Sequence, residues 1–131
     1  MYRKIKMGEE KYLMVCHATP ESTWEKVCAS DVPTKDLRRA YGKIEAEVIA
    51  YGHYHKNHVI QIDGKILVNV ASVGMRKDGM SAYSIVEYVD DKWIVEQYQV
   101  KYDETEERRL EKEKKFPRVG EYRGEGKATH R

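Results

Sequence analysis

Leu13-Met-Val-Cys-His17 is an apolar run that leads directly into a histidine, and Val48-Ile-Ala-Tyr-Gly-His-Tyr-His55 has the same design further along the chain. A short apolar run of this kind is typical of a strand buried on both faces. Between the two runs, apolar residues recur at helical spacing from Leu37 to Ile44, and Thr34 is a candidate N-cap. The sequence therefore predicts a β-α-β crossover with parallel strands.

The crossover brings histidines together. Parallel strands end at the same edge of a sheet, and ligands bind at that edge in open α/β sheets. His17, His53 and His55 are therefore predicted to gather there. Imidazole is the commonest metal-ligating side chain, and an extended backbone would turn His53 and His55 to the same side. We predict a metal site at these three residues, with Gly52 leaving room for a ligand. Ordinary polar surface is the alternative interpretation.

Other candidate residues are given no role in the predicted site. Cys16 should face away from His17, into the core, which makes a Cys-His nucleophilic pair geometrically poor. His58 and His130 are predicted to face solvent. The sequence contains no phosphate-binding loop, no dinucleotide fingerprint and no nucleophile elbow, so it identifies no catalytic side chain.

The remaining segments complete an α/β fold. In chain order we predict strands at Tyr2–Met7 and Lys11–Cys16, a short helix at Glu21–Cys28, the crossover helix and second apolar strand described above, β-hairpins turning at Asp63-Gly64 and Asp90-Asp91, and a helix at Asp103–Lys115. The predicted fold class is thus α/β: a mixed sheet with one β-α-β crossover, followed by two hairpins and a C-terminal helix.

Composition limits the possible functions. The 131 residues carry 24 Lys or Arg against 22 Asp or Glu, a net charge of +2, which argues against a chain built to coat nucleic acid or a membrane surface. We expect one domain over residues 1–115 and a charged, flexible tail over 116–131. The chain has no membrane-length apolar run, no signal-peptide pattern and only two cysteines, which indicates a cytoplasmic protein.

Three motifs resemble those of the calcineurin-like metallophosphoesterases. Leu13-Met-Val-Cys-His-Ala-Thr-Pro20 resembles their His-Gly-x-Pro segment, and Tyr51-Gly-His-Tyr-His55 is similar to their Gly-His-x-His motif. Asn69-Val-Ala-Ser-Val-Gly74 is similar to the Asn-Pro-Gly-Ser-Val-Gly turn of the small bacterial and archaeal phosphodiesterases in this family. The resemblance covers residues 10 to 115. It implies part of an αββα sandwich and a hydrolase of phosphomonoesters or phosphodiesters that uses two divalent metals (Mn, Ni, Zn or Fe).

The resemblance assigns His17 and His53 to one metal and His55 to the other. The family's first-half motifs D-x-H, G-D-x-x-D and G-N-H-[DE], which supply the other ligands, do not occur in this sequence. The chain therefore resembles the C-terminal half of such an enzyme. We expect little activity from it alone, and a separate N-terminal half or self-association to cover its exposed apolar surface. Two alternatives stay open: a metal-free remnant that acts as a binding or oligomerisation module, and a protein holding one Zn²⁺ on the three histidines.

Overall fold

Seven strands and two helices are formed by the residues that the computed structural model describes, which are 1–25, 32–73 and 79–115. In chain order they are β1 (Tyr2–Gly8), β2 (Lys11–Cys16), α1 (Thr34–Tyr41), β3 (Val48–Tyr51), β4 (His58–Ile62), β5 (Lys65–Asn69), β6 (Met80–Val89), β7 (Lys92–Lys101) and α2 (Glu104–Glu113). Neither described helix has the length and apolar character needed to cross a membrane.

The central sheet has five strands in the order β1-β2-β3-β5-β4. Strands β2, β3 and β5 are parallel, and β1 and β4 pair antiparallel at its two edges. The register aligns Cys16 with Tyr51 and Tyr51 with Asn69, so the three parallel strands end level with one another. The predicted β-α-β crossover is confirmed, and it puts the segments after these strands at one edge of the sheet.

One face of this sheet packs against α1. Leu37 and Tyr41 of the helix join Met14, Ile49 and Leu67 of the sheet in a single buried cluster. The three sheet residues alternate along their strands with neighbours on the opposite face of the sheet, as the twofold repeat of a β-strand requires. The helix therefore fixes the crossover by burying one side of the sheet.

The start and end of α1 differ from the sequence-based expectation. Pro33, with φ −57° and ψ 139°, occupies the N-cap position without a side-chain hydrogen bond, and Thr34 is the first helical residue. Proline adopts that φ readily and lacks an N–H, so it can stand at the helix boundary in place of the predicted threonine cap. The helix ends at Tyr41, while Ile44, three residues on, still packs against the core cluster.

The β6-β7 hairpin crosses the opposite face of the central sheet diagonally. Near its tip, the Tyr88 ring lies beside Gly8 at the end of β1, so close that a Cβ on Gly8 would lie 2.9 Å from it. Near its middle, Gln97 Nε2 donates to the Asn69 carbonyl at the end of β5, at 2.8 Å. The predicted α/β class with a mixed sheet is confirmed: a helix, a five-stranded sheet and a two-stranded sheet form successive layers.

The hairpin leaves part of that face uncovered. All four residues of β3 are buried, as predicted. In β2, however, Met14 and Cys16 are buried while Val15 is 40% exposed, so the expectation that this strand is buried on both faces is wrong. The reason is geometric, because Val15 points away from α1 and the described hairpin does not shield it.

Both hairpin turns form where the sequence predicts them. Asp63 and Gly64 have φ values of 49° and 74°, and Asp90 and Asp91 have 50° and 58°. Two consecutive positive φ angles are the geometry of the tight turn that matches strand twist. The predicted tail, residues 116–131, lies outside the described residues.

The helix predicted for Glu21–Cys28 does not form in its described part, residues 21–25. Instead, the Thr19 hydroxyl accepts a hydrogen bond from the Ser22 backbone N–H at 3.0 Å. Side-chain bonds of this kind compete with helical ones for the backbone. The rest of the predicted helix lies outside the described residues.

Candidate metal centre

His17 and His53 are adjacent in space although 36 residues separate them. Each follows the end of a parallel strand, and the Gly52 N–H donates to the His17 carbonyl at 2.7 Å, which ties the two loops together. His17 Nε2 lies 3.3 Å from His53 Nδ1, with the ring planes at 85°. The predicted convergence of these two histidines at one sheet edge therefore occurs.

His53 is not in an extended conformation. Its φ is +73°, in the left-handed region that L-residues with a Cβ occupy at a cost. The Tyr54 N–H then reaches back to the Gly52 carbonyl at 3.0 Å and closes a tight turn. The expectation that an extended backbone turns His53 and His55 to the same side is therefore wrong, because the backbone is not extended at His53.

His55 is exposed to solvent. Within residues 1–25, 32–73 and 79–115, no group of three or more His, Cys, Asp or Glu side chains is arranged to hold a metal ion. The structure thus brings two of the three predicted ligands together, and the metal-binding role of all three stays a prediction. Gly52 faces His17, whose carbonyl would lie 3.5 Å from a Cβ at that position.

Cys16 is buried on the opposite side of β2 from His17. Its Sγ lies 3.7 Å from the Ala18 carbonyl oxygen, within hydrogen-bonding distance for a thiol. The predicted separation of Cys16 from His17 is confirmed, which leaves this thiol in the core. The second cysteine, Cys28, lies outside the described residues.

Two buried tyrosines support the histidine loops, and the sequence did not reveal this role. Tyr41 donates from its hydroxyl to the Ala18 carbonyl at 2.6 Å, one residue after His17. Its ring stacks on that of Tyr51 with centroids 5.4 Å apart, and Tyr51 directly precedes Gly52. Helical spacing indicated that Tyr41 belongs to the core, but nothing in the sequence identifies its hydrogen-bond acceptor.

His58 is half-buried, so the prediction that it faces solvent is wrong. Its Nε2 lies 2.9 Å from the Tyr51 hydroxyl, and its Nδ1 lies 3.2 Å from the Lys56 carbonyl. A carbonyl can only accept, so in the neutral ring Nδ1 carries the proton and Tyr51 donates to Nε2. Burial lowers the pKa of His58 below its usual value, because desolvation disfavours the charged ring.

Two aromatic rings lie beside His53. Trp24 and Tyr54 both lie edge-to-face with His53, at centroid distances of 6.3 Å and 5.6 Å. His53 is consequently half-buried, whereas Trp24 is 79% exposed. Sequence patterning does not indicate this arrangement, because it predicts a helix over Glu21–Cys28, the segment that contains Trp24.

Comparison with solved structures identifies the fold. The chain superposes on the hypothetical protein PH1004 from Pyrococcus horikoshii OT3 with a TM-score of 0.75 and 17% identity, covering 94% of this chain and 48% of that one. It superposes on a metallophosphoesterase from Sphaerobacter thermophilus with a TM-score of 0.64 and 18% identity, covering 87% of this chain and 54% of that one. No protein-family model and no curated protein matches the sequence.

These similarities establish a metallophosphoesterase-like fold for this chain. The chain spans about half the length of each of the two solved structures.

Proposed function

We propose that residues 1–115 are the C-terminal portion of a metal-dependent phosphoesterase domain, in which His17, His53 and His55 bind divalent metal ions. The observation that carries this proposal is the 3.3 Å between His17 Nε2 and His53 Nδ1. Two nitrogens bound to one tetrahedral zinc at about 2.0–2.1 Å lie about 3.3 to 3.4 Å apart. The two imidazoles therefore already have the spacing of ligands to a single ion, with His55 left for a second one.

The further ligands come from a second polypeptide segment in this proposal. Val15 and His17 are two residues apart in and just beyond β2, so they project to the same side, away from Cys16. A shallow groove beside them, the Val15 groove, is lined by Met1, Tyr2, Arg3, Val15, His17 and Thr23. A segment that covers the exposed Val15 would therefore place its own side chains next to His17, where carboxylates can complete the site.

The substrate in this proposal is a phosphomonoester or phosphodiester. His17, His53 and His55, together with the added ligands, would hold two divalent ions, whose chemistry would be to provide a hydroxide at neutral pH and to polarise the phosphoryl oxygens. The protein's contribution is to hold the imidazoles in place, and here the Gly52-to-His17 hydrogen bond and the Tyr41-Tyr51 stack do so. No side chain of this chain needs to act as the nucleophile.

A metal titration tests the first part of the proposal. We expect isothermal titration with Zn²⁺ or Mn²⁺ to show binding that weakens at least tenfold in His17→Ala and in His53→Ala. His58→Gln is the matched control, because His58 bonds to Tyr51 and not to the pair. Equal metal affinity in all four proteins would contradict the assignment. Tight binding of a single Zn²⁺ that is also weakened in His55→Ala would favour the mononuclear alternative.

An activity assay tests the second part. The chain is mixed with Mn²⁺ and a nitrophenyl phosphate ester, with and without a recombinant N-terminal half that carries D-x-H, G-D-x-x-D and G-N-H-[DE]. We expect turnover only in the mixture. Turnover that survives His53→Ala and His55→Ala would refute the phosphoesterase assignment.

A metal-free binding module is the second candidate function, and the outer face of the β6-β7 hairpin favours it. Six apolar residues on this face are more than a third exposed: Tyr83, Ile85, Val89, Ile94, Tyr98 and Val100. Glu87, Lys92 and Glu96 on the same face carry both signs of charge. We propose that a second copy of this chain binds to this face, because a twofold arrangement lets Lys92 of each copy pair with Glu87 or Glu96 of the other.

A further inference from the structure

Trp24 is a large aromatic side chain held in solvent beside the histidine pair. It is 79% exposed, the most of any aromatic residue among the exposed hydrophobic side chains of the described chain. Its ring is perpendicular to that of His53, with centroids 6.3 Å apart. Because so little of the indole is covered, a ring face remains available to a ligand next to the site.

The loop that carries Trp24 is fixed by polar contacts on both sides. The buried Thr19 donates its backbone N–H to the Ser22 carbonyl, and its hydroxyl accepts the Ser22 N–H. The one hydroxyl proton of Thr19 has two acceptors within reach, Glu25 Oε2 at 3.2 Å and the Ser22 carbonyl at 3.3 Å. Arg39 from α1 bonds the other oxygen of Glu25 at 2.6 Å. Trp24 itself donates its backbone N–H to the Ser22 hydroxyl at 3.1 Å. The indole is therefore presented by an anchored loop.

From this geometry we propose that Trp24 is a stacking platform for the planar aromatic group of a phosphate ester whose phosphate lies at His17 and His53. This inference rests on the proposed function and narrows its substrate to aryl or nucleobase phosphate esters. An aromatic platform stacks any planar ring and contributes binding without reading hydrogen-bond patterns. The site would thus prefer an aromatic ester over an aliphatic one without distinguishing one base from another.

Fluorescence tests this proposal, because Trp24 and Trp93 are the two tryptophans of the chain. Trp93→Phe leaves Trp24 as the single reporter. With Mn²⁺ present, we expect adenosine 5′-monophosphate to quench this emission saturably, while ribose 5-phosphate does not. By calorimetry, Trp24→Ala should bind the nucleotide about tenfold more weakly and ribose 5-phosphate with unchanged affinity, and Trp24→Phe should recover part of the loss.

Val59→Ala is the matched control, an exposed apolar side chain truncated on the edge strand β4, outside both proposed binding surfaces, and it should bind the nucleotide like the wild type. Equal nucleotide affinity in Trp24→Ala and wild type would contradict the stacking proposal. A Trp24→Ala variant that binds the nucleotide normally but no longer assembles with another polypeptide would contradict it as well. The metal titration reports separately on the proposed function. Quenching is measured with and without Mn²⁺, so the experiment shows whether the nucleotide stacks on Trp24 even if the metal does not bind.

Discussion

At the scale of single residues, His53 combines a proposed metal-ligating side chain with a strained backbone. Its φ of +73° is unfavourable for any residue with a Cβ, and such strain persists where surrounding contacts enforce it. We expect His53→Gly to be more stable than His53→Ala by about 1 kcal/mol, because glycine adopts this φ without the steric penalty. Both variants lose the imidazole, so the difference in urea unfolding free energy isolates the backbone contribution.

The same pair of substitutions at His55 provides the control for this prediction. His55 is not among the residues with positive φ. Glycine there gains nothing in the folded state and adds conformational freedom to the unfolded chain. We expect His55→Gly to be no more stable than His55→Ala. A glycine preference of the same size at both positions would show that the strain at His53 is not the cause.

His58 makes stability depend on pH. Its folded-state pKa is lowered by burial, so the unfolded chain binds more protons than the folded one as the pH falls through and below the ordinary histidine pKa of about 6.5. The contribution of neutral His58 to the free energy of unfolding is therefore fully present above that pH and is lost on acidification. We expect His58→Gln to lose less stability than the wild type between pH 7 and pH 5, measured by urea unfolding. Parallel profiles for the two proteins would rule out His58 as a source of this dependence.

At the scale of elements, local chemistry predicted the turns and topology predicted the histidine pair. Asp63-Gly64 forms a turn because both residues tolerate positive φ, and that information is contained in two neighbouring residues. The convergence of His17 and His53 followed from the handedness and parallel pairing of one crossover. The arrangement of His55 did not follow, because a positive φ at a histidine depends on tertiary contacts that the sequence does not display.

The turn after β5 also contains a positive φ that the sequence does not display. Asn69 is fully buried, and its Oδ1 accepts the Ala71 N–H at 2.9 Å. Ala71 has a φ of +62°, at the position where the motif that it resembles has glycine. A left-handed residue there explains why glycine suits the motif, since glycine alone avoids the Cβ conflict. The similarity to the family motif implied a turn here, but the sequence does not display the backbone conformation that makes the turn.

At the scale of the whole molecule, two regions of exposed apolar surface on the described residues have different consequences. Val15 lies beside His17, where a covering segment would add to the site. The outer face of β6-β7 lies on the other side of the hairpin from the central sheet. The sequence predicted uncovered surface from missing motifs, but only the strand register shows which residues form each region, since exposure depends on what packs on each face.

Self-association through the outer hairpin face has a measurable signature. We expect the wild type to exceed its 15.4 kDa monomer mass at micromolar concentration in sedimentation equilibrium, and Ile85→Lys to weaken the association at least tenfold. A lysine placed against the partner's apolar surface leaves a desolvated charge, which is costly. Val59→Lys is the matched control, because Val59 is 43% exposed against 41% for Ile85 but belongs to the edge strand β4.

A chelator should leave this association unchanged, since Ile85 and its neighbours lie on the hairpin and the histidines lie at the end of the central sheet. A monomeric wild type at all concentrations would contradict the homodimer. Association lost equally in Val59→Lys would place the interface on the central sheet. In a third outcome, the chain stays monomeric until an N-terminal half is added. That result would support the phosphoesterase proposal, because the added half should cover Val15 and bring metal ligands to His17.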